Sequence, residues 1–160
     1  MSELDISEIT SYLLISSFPR AENAEQIRCM GVKLILSMYL RRPDKTLGLP
    51  PVTLLWMPVI DSPIAPIPIS VLRRGVQAAL PVIDEGGKVL AHCRFGIHRS
   101  AAMACCILIA KGYSSQEAMD LVKRQRALAR PEDAHIQAQI KKFEADWNRR
   151  RQNASNTDIG

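Results

Sequence analysis

Short apolar segments alternate with helical patterns along this chain of 160 residues. Each apolar segment is four to six residues long and lies between turn or loop signals, which is typical of a buried strand. Strands that alternate with helices favour a parallel sheet, because each parallel connection must cross over the sheet. The chain is therefore predicted to adopt an α/β fold, with a largely parallel central sheet of four to five strands flanked by helices. The predicted strands are residues 12–15, 32–36, 52–57 and 88–92.

Helical patterns fill most of the remaining chain. Pro81 lies inside the second predicted helix and is expected to kink it or split it, because proline lacks the N–H that a helix needs. Ser114 to Glu117 forms a capping box that opens the fourth helix, and Pro131 suits the start of the last one. Proline-rich residues 41–51 and 61–68 are predicted loops. The predicted helices are residues 21–30, 69–85 and 100–111, one from residue 115, and one that aligns Ile136, Ile140, Phe143 and Trp147.

The composition indicates one soluble domain. Hydrophobic residues make up 47% of the chain and charged residues 23%, which excludes wholesale disorder and collagen-like structure. We expect a single domain over residues 1–151 and a frayed tail over residues 152–160. The net charge of +5 indicates either a solvated basic surface or attraction to anions. No aromatic residues interleave with the basic ones in a strand pattern, so no nucleic-acid partner is expected.

The spacing of the cysteines bears on metal binding, and the hydropathy of the chain bears on its location in the cell. The four cysteines form no C-x-x-C pair and no zinc-ligand spacing, so neither a metal nor another cofactor is expected. The acidic N-terminus lacks a signal-peptide pattern, and the longest apolar run, residues 101–110, is too short to span a bilayer. We therefore expect a cytoplasmic protein with no membrane anchor, and a monomer.

The most informative segment is His-Cys-Arg-Phe-Gly-Ile-His-Arg-Ser at residues 92–100, between a predicted strand and a predicted helix. A short loop that enters a helix presents backbone N–H groups and the positive end of the helix dipole, and both attract anions. Gly96 allows a backbone conformation that a side chain would hinder. Arg99 can hold two phosphate oxygens with its planar guanidinium. The Cys93 thiol would lie at the floor of this loop, where the electropositive surroundings favour the reactive thiolate.

This segment resembles the signature loop of the cysteine-dependent protein tyrosine phosphatase superfamily, H-C-x5-R-[ST]. The chain length and the position of the loop in the C-terminal half resemble the small dual-specificity phosphatases. The resemblance extends from about Tyr12 to Trp147, although each match outside the loop is weak on its own. Rhodanese-like sulfurtransferases share a Cys-Arg-x-Gly loop with residues 93–96, but the Arg99-Ser100 ending favours a phosphatase.

The resemblance also implies a proton donor and a helper hydroxyl. The family supplies an aspartate from a mobile loop about thirty residues before the cysteine, and Asp61 lies 32 positions before Cys93. The alternative for Asp61 is a turn residue before Pro63, and Asp44 and Asp84 are competing candidates. Ser100 corresponds to the family hydroxyl that assists departure of the thiolate, with a plain helix cap as its alternative.

The other loop residues carry less specific expectations. His92 is expected to hydrogen-bond within the loop and fix its geometry, with a buried, satisfied histidine as the alternative. His98 either adds positive potential at the mouth or is an exposed side chain without a role. Cys105 and Cys106 are expected to be small buried residues, with a redox partnership to Cys93 as the alternative. The predicted phosphate-binding residues are Arg94, Phe95, Gly96, Ile97, His98 and Arg99.

The resemblance implies a metal-independent phosphatase that acts through a cysteinyl-phosphate intermediate. The expected substrates are proteins carrying phosphotyrosine and phosphoserine or phosphothreonine, because a chain this short has little room for loops that would deepen the pocket. A phosphoinositide or an RNA 5′-phosphate suits the same chemistry. A catalytically inactive phosphate-binding relative and a sulfurtransferase are the remaining alternatives.

Overall fold

Five strands form one sheet in the computed structural model, which describes residues 3–159. The spatial order is β1-β2-β5-β3-β4. Strands β2 and β3 each pair parallel with β5, and β4 pairs parallel with β3. Strand β1 pairs antiparallel with β2. The predicted α/β class with its largely parallel sheet is confirmed. The strands are β1 (Ile6–Thr10), β2 (Leu13–Ser16), β3 (Val32–Ser37), β4 (Thr53–Trp56) and β5 (Lys88–His92).

Strand β1 has no counterpart among the predicted strands. It lies at the edge of the sheet, and only Ile9 of its five residues is buried. An edge strand that buries so little apolar surface carries a weak hydrophobic pattern, because one of its sides has no neighbouring strand to pack against. Pairing with the fully buried β2 therefore determines this strand more than its own residues do.

Helices cover both faces of the sheet. The two faces alternate along each central strand, so that Leu13 and Ile15 of β2 pack towards one group of helices and Leu14 towards the other. Helix α1 covers one face, and the four later helices share the larger core on the other. No helix among residues 3–159 is long and apolar enough to cross a membrane. The helices are α1 (Ala24–Cys29), α2 (Ile69–Asp84), α3 (Arg99–Ala110), α4 (Ser115–Gln125) and α5 (Ala134–Thr157).

Two predicted features of the helices need correction. Pro81 does not split α2, because the chain beyond it keeps helical bonding and Glu85 N donates to Pro81 O at 3.1 Å. Helix α5 begins at Ala134 rather than at Pro131, because Asp133 is still extended and its carboxylate is bonded to other side chains. The helix then continues to Thr157, with residues 151–159 exposed, and the domain bounds expected from the sequence stay a prediction.

Helix α3 positions the candidate site. All its residues except Ala110 are buried, and small side chains at Ala101, Ala102 and Ala104 let neighbouring helices and the sheet approach closely. It follows β5, the central strand, through the short loop of residues 93–98. That loop therefore lies at the carboxyl end of the sheet, where open α/β folds bind ligands.

Candidate active site

The loop between β5 and α3 is fixed by its neighbours on both sides. Met38 N donates to His92 O at 2.9 Å, and Phe18 N donates to Arg94 O at 3.0 Å. These bonds come from the chain that follows β3 and from the chain that follows β2. Because carbonyl groups of the loop are bonded outwards, its N–H groups remain available on the inner side.

The Cys93 thiol lies on the floor of this loop and is only 2% exposed. Its Sγ lies 3.3 Å from the hydroxyl oxygen of Ser100, the second residue of α3. Burial by itself raises the pKa of the thiol, but hydrogen bonding from the Ser100 hydroxyl and backbone N–H, the Arg99 charge and the Gly96 N–H together outweigh burial. The net effect lowers the pKa of Cys93, which favours the thiolate.

His92 lies fully buried behind the loop. Its Nδ1 is 3.3 Å from Cys93 O, and Nε2 has no hydrogen-bond partner among the described residues. Burial lowers the pKa of His92 to about 4, so the ring is neutral at physiological pH. A neutral ring that donates from Nδ1 to this carbonyl supports the backbone of the loop. The supporting role of His92 stays a prediction.

Arg99 joins the loop to the segment that carries Asp61. Its Nη1 donates to Val59 O at 3.0 Å, and its guanidinium carbon lies 5.3 Å from the centre of the Tyr39 ring. Nε is buried and has no hydrogen-bond partner among residues 3–159. A buried guanidinium with an unpaired donor suits a phosphate oxygen as acceptor.

Gly96 and Arg126 shape the far side of the loop. Gly96 has a positive φ of 68°, and a Cβ there would lie 2.7 Å from Arg126 Nη2 and 2.8 Å from Ser16 O. Arg126, which is buried, donates to Gly96 O at 2.9 Å and to Phe95 O at 3.1 Å, while it forms an ion pair with Asp5. The sequence analysis did not identify Arg126. It lies in a basic helical segment, where an arginine is expected to be a solvated side chain.

Asp61 lies between two histidines at the edge of the site. His98 Nδ1 donates to Asp61 Oδ2 at 2.7 Å, and His135 Nε2 donates to Oδ1 at 3.0 Å. Burial raises the pKa of Asp61, but these two hydrogen bonds and the charges of His98 and Arg99 outweigh it and lower the pKa overall. His98 is therefore not a free surface side chain. His135, which lies 74 residues from Asp61 in the sequence, was missed because no local spacing connects the two.

His98 is held between two carboxylates. Its second nitrogen, Nε2, donates to Asp133 Oδ2 at 2.7 Å. Burial lowers the pKa of His98, but hydrogen bonds and charges from Asp61 and Asp133 outweigh burial and raise the pKa overall. Arg130 in turn donates to Asp133 from Nε and Nη2 at 3.0 to 3.1 Å. A continuous chain of bonds thus runs from Arg130 to Asp61.

The competing acid candidates, Asp44 and Asp84, are held by other partners. Asp44 accepts from Thr46 N at 2.9 Å in a short 3-10 turn, and Asp84 at the end of α2 pairs with Lys111 at 3.7 Å.

Cys105 and Cys106 are fully buried in α3, where burial raises the pKa of both thiols. Their surroundings are those of small core residues.

A basic groove of 730 Å³ borders the loop at Arg94 and Phe95. Phe95 at its edge is 56% exposed, and the Arg94 guanidinium lies 4.8 Å from the centre of its ring. Among the described residues that line the groove, Asp44 is the only acidic one and four are arginines, so the groove is electropositive. The groove is lined by Ser17, Phe18, Pro19, Arg20, Ala21, Arg41, Arg42, Asp44, Arg94 and Phe95.

Comparison with known families decides where this loop belongs. The family model for the catalytic domain of dual specificity phosphatases matches residues 13–146, which include Asp61 and the whole loop from Cys93 to Ser100. The chain belongs to the dual specificity phosphatase family. The predicted resemblance is thereby confirmed.

Individual relatives of this dual specificity phosphatase domain support the same family assignment. It is 29% identical to human dual specificity protein phosphatase 5 over 78% of this chain, which corresponds to 32% of that protein. It is 34% identical to a protein of Invertebrate iridescent virus 6 named as a tyrosine phosphatase, 123R, over 66% of this chain and 71% of that protein. The chain thus spans about a third of the length of the human relative.

Solved structures show the same fold. A mouse protein described as a dual specificity phosphatase, complexed with zinc tungstate, superimposes with a TM-score of 0.83 over 93% of this chain and 92% of that one, at 26% identity. PTPMT1 in complex with PI(5)P superimposes with a TM-score of 0.78 over 91% of this chain and 97% of that one, at 23% identity. The second likeness concerns the fold alone.

Proposed function

We propose that this domain is a metal-independent phosphatase that hydrolyses phosphotyrosine and phosphoserine or phosphothreonine in proteins. The observation that carries the proposal is the buried Cys93 thiol, whose pKa is lowered inside a loop that ends on Arg99. A thiolate at the floor of an electropositive loop is the nucleophile that the chemistry requires. The family membership supports the same assignment.

In the first proposed step the Cys93 thiolate attacks phosphorus opposite the leaving oxygen. A sulfur–phosphorus bond forms, the phosphorus–oxygen ester bond breaks, and the leaving oxygen takes a proton from Asp61. Arg99 and the N–H groups of the loop bind the three equatorial oxygens, whose charge they stabilise in the transition state. These fixed charges supply the stabilisation that a metal ion provides in other phosphate-transferring enzymes.

In the second proposed step water hydrolyses the cysteinyl-phosphate. The Asp61 carboxylate takes a proton from a water molecule while the water oxygen bonds to phosphorus and the sulfur–phosphorus bond breaks. Ser100 donates a hydrogen bond to the departing sulfur, which its hydroxyl already faces at 3.3 Å. The hydrogen bonds from His98 and His135 favour the carboxylate of Asp61, the form that this step uses, and disfavour the protonated form that the first step needs.

The proposed substrates are phosphoproteins, and the surface beside the loop bears on their choice. Phe95 is the exposed aromatic side chain of the loop, and it can pack against the side chain that carries the phosphate. The four arginines of the groove favour acidic neighbours of that residue. They equally favour a phosphoinositide headgroup, which makes lipid phosphatase activity the second candidate. A nucleophilic thiolate suits a reducing, cytoplasmic setting.

The proposal is tested by hydrolysis of para-nitrophenyl phosphate with a chelator present. The parent chain should turn over, whereas Cys93→Ser should lose activity by at least about 10³-fold, as loss of an enzymic nucleophile usually causes. Tungstate binding to Cys93→Ser should persist, because the loop N–H groups and Arg99 are unchanged. Thiosulfate:cyanide activity instead of phosphatase activity would overturn the assignment.

Substrate class is tested by matched phosphopeptides and by phosphoinositide vesicles. We expect turnover of phosphotyrosine and phosphothreonine peptides, with phosphotyrosine faster because its phenol is the better leaving group. Faster hydrolysis of phosphoinositides than of either peptide would select the lipid candidate. Strict specificity for tyrosine would contradict the shallow pocket that the short loops predict.

A further inference from the structure

Asp61, His98 and His135 bring three potential metal-ligand atoms together. One ligand atom from each of these side chains lies within 4.8 Å of the other two. His98 Nδ1 lies 2.7 Å from Asp61 Oδ2, and His135 Nε2 lies 3.0 Å from the other carboxylate oxygen, Oδ1; both contacts are hydrogen bonds. We propose that these three side chains form a Zn²⁺ site at the mouth of the phosphate-binding loop, which inhibits the enzyme when it is occupied.

The donor set has the chemistry that zinc prefers. Imidazole nitrogen and carboxylate oxygen are both common zinc ligands, and two histidines with one carboxylate leave a fourth tetrahedral position for water. Zinc–ligand bonds of about 2.0–2.2 Å in tetrahedral geometry place neighbouring ligand atoms somewhat more than 3 Å apart. The two histidine–carboxylate separations, 2.7 Å and 3.0 Å, are slightly shorter than this spacing, and all three ligand atoms lie within 4.8 Å of one another. Side-chain movements that bring these atoms to the tetrahedral spacing would replace the bridging protons with the ion.

The histidine ligand nearest the loop already has the support that metal-binding histidines need. His98 uses Nε2 to donate to Asp133 at 2.7 Å, which leaves Nδ1 to face Asp61 and the proposed ion. A carboxylate on the second nitrogen fixes the orientation of a histidine ligand and raises its basicity. Arg130 holds that carboxylate in place, and its backbone N–H donates to Ile97 O at 2.9 Å.

The three ligands come from different elements and are accessible. Asp61 lies in the loop after β4, His98 immediately precedes α3, and His135 lies in the first turn of α5. Their side chains are 18–27% exposed, so an ion can reach them from solvent. Ligand spacing along the chain predicts no metal site, because 37 residues separate each ligand from the next. Only the fold brings them together.

The proposed ion would remove Asp61 from the reaction. Both carboxylate oxygens face the ligand cluster, and a carboxylate bound to zinc neither donates a proton to a leaving oxygen nor accepts one from water. This inhibition rests on the acid role proposed for Asp61. Binding of the ion does not rest on it, so the two claims can fail separately.

Binding is tested first, with thiol ligands removed. In the Cys29→Ser/Cys93→Ser double variant, isothermal titration with Zn²⁺ should show one site per chain. Co²⁺ should give the intense visible absorption of a tetrahedral site. Adding His135→Gln or His98→Gln should weaken Zn²⁺ binding by at least about tenfold, a factor that even a partner of a ligand commonly contributes. Asp120→Asn, which removes an exposed carboxylate on α4, should leave the affinity unchanged.

Two results would overturn the proposed zinc site in variants that fold. Circular dichroism establishes that each variant is folded, and His135→Gln keeps the test available if His98→Gln is not. Equal Zn²⁺ affinity in the double variant and in the folded histidine variants would overturn the site. Failure of the double variant to bind would do so as well.

Inhibition is tested separately on chains that retain Cys93. Because zinc also binds thiolates, the informative comparison is the zinc concentration for half-inhibition in the parent and in His135→Gln. We expect that concentration to rise at least about tenfold in the variant. An unchanged value, with binding at the three residues established, would overturn the inhibitory role and point to inhibition at Cys93 instead.

Discussion

At the scale of single residues, the environment of Cys93 explains how a buried thiol becomes a nucleophile. Burial raises the pKa of the thiol, but hydrogen bonds from the Ser100 hydroxyl and two backbone N–H groups, together with the charge of Arg99, outweigh burial. The fully buried thiols of Cys105 and Cys106 lack such partners, and burial raises the pKa of both. Position in the loop, rather than burial alone, therefore distinguishes Cys93.

Replacing Ser100 with alanine should raise the pKa of Cys93, because the variant loses a hydrogen bond that stabilises the thiolate. Alkylation of Cys93 by iodoacetate, followed against pH, should then show its midpoint at higher pH than in the parent chain. Ser114→Ala, which removes the cap of α4 far from the loop, serves as the control and should not move the midpoint. A midpoint unchanged by Ser100→Ala would show that the hydroxyl does not stabilise the thiolate.

Replacing Asp61 with asparagine should slow hydrolysis according to the leaving group. A positioned general acid contributes about 10²–10⁴-fold, so phosphothreonine peptides, with a poor leaving group, should lose that much in kcat. Para-nitrophenyl phosphate should lose less, because its leaving group is already a stable anion. Asp84→Asn provides the matched control. Equal losses on both substrates would contradict the acid role of Asp61.

At the scale of elements, helix α5 is attached to α2 by a polar contact as well as by apolar packing. Arg73 donates to Asp146 Oδ2 from Nε at 3.2 Å and from Nη2 at 2.9 Å. Burial raises the pKa of Asp146, but hydrogen bonds from Arg73 and Arg150 and their charges outweigh it and lower the pKa overall. The contact therefore stabilises the folded chain only while Asp146 is ionised.

Asp146→Asn should lower the free energy of unfolding at pH 7 by about 1.5–3 kcal/mol, the usual contribution of a hydrogen bond to a charged group. The pKa of Asp146 is lower in the folded chain than in the unfolded one, where it is about 3.9. The difference between parent and variant should therefore be complete above that value and vanish as the pH falls through the lower folded-state pKa. Urea unfolding at several pH values measures it.

The outcome that would contradict this account is a difference independent of pH, which would indicate a packing defect instead. Asp120→Asn on the exposed face of α4 is the control. It should change the free energy of unfolding by less than about 0.5 kcal/mol at every pH, as is usual for surface substitutions.

At the scale of the whole molecule, local patterns predicted the parallel strands, the helices and the loop of residues 92–100. These features follow from hydrophobic periodicity and from a contiguous motif. Three other features depend on contacts between distant segments. The edge strand β1 pairs only because β2 is there, Arg126 reaches the loop from the end of α4, and His135 meets Asp61 only when α5 packs beside the sheet. No local pattern encodes such contacts.

The step that distinguishes the proposed mechanism is the covalent bond from Cys93 to phosphorus. Rapid acid quenching of Ser100→Ala during turnover of para-nitrophenyl phosphate, followed by peptide mass spectrometry, detects that bond. Loss of the Ser100 hydroxyl should slow departure of the sulfur and let the intermediate accumulate. We expect a phosphoryl group on the peptide that contains Cys93, and none in Cys93→Ser. A phosphoryl group on another residue, or a burst of product without any phosphorylated peptide, would contradict it.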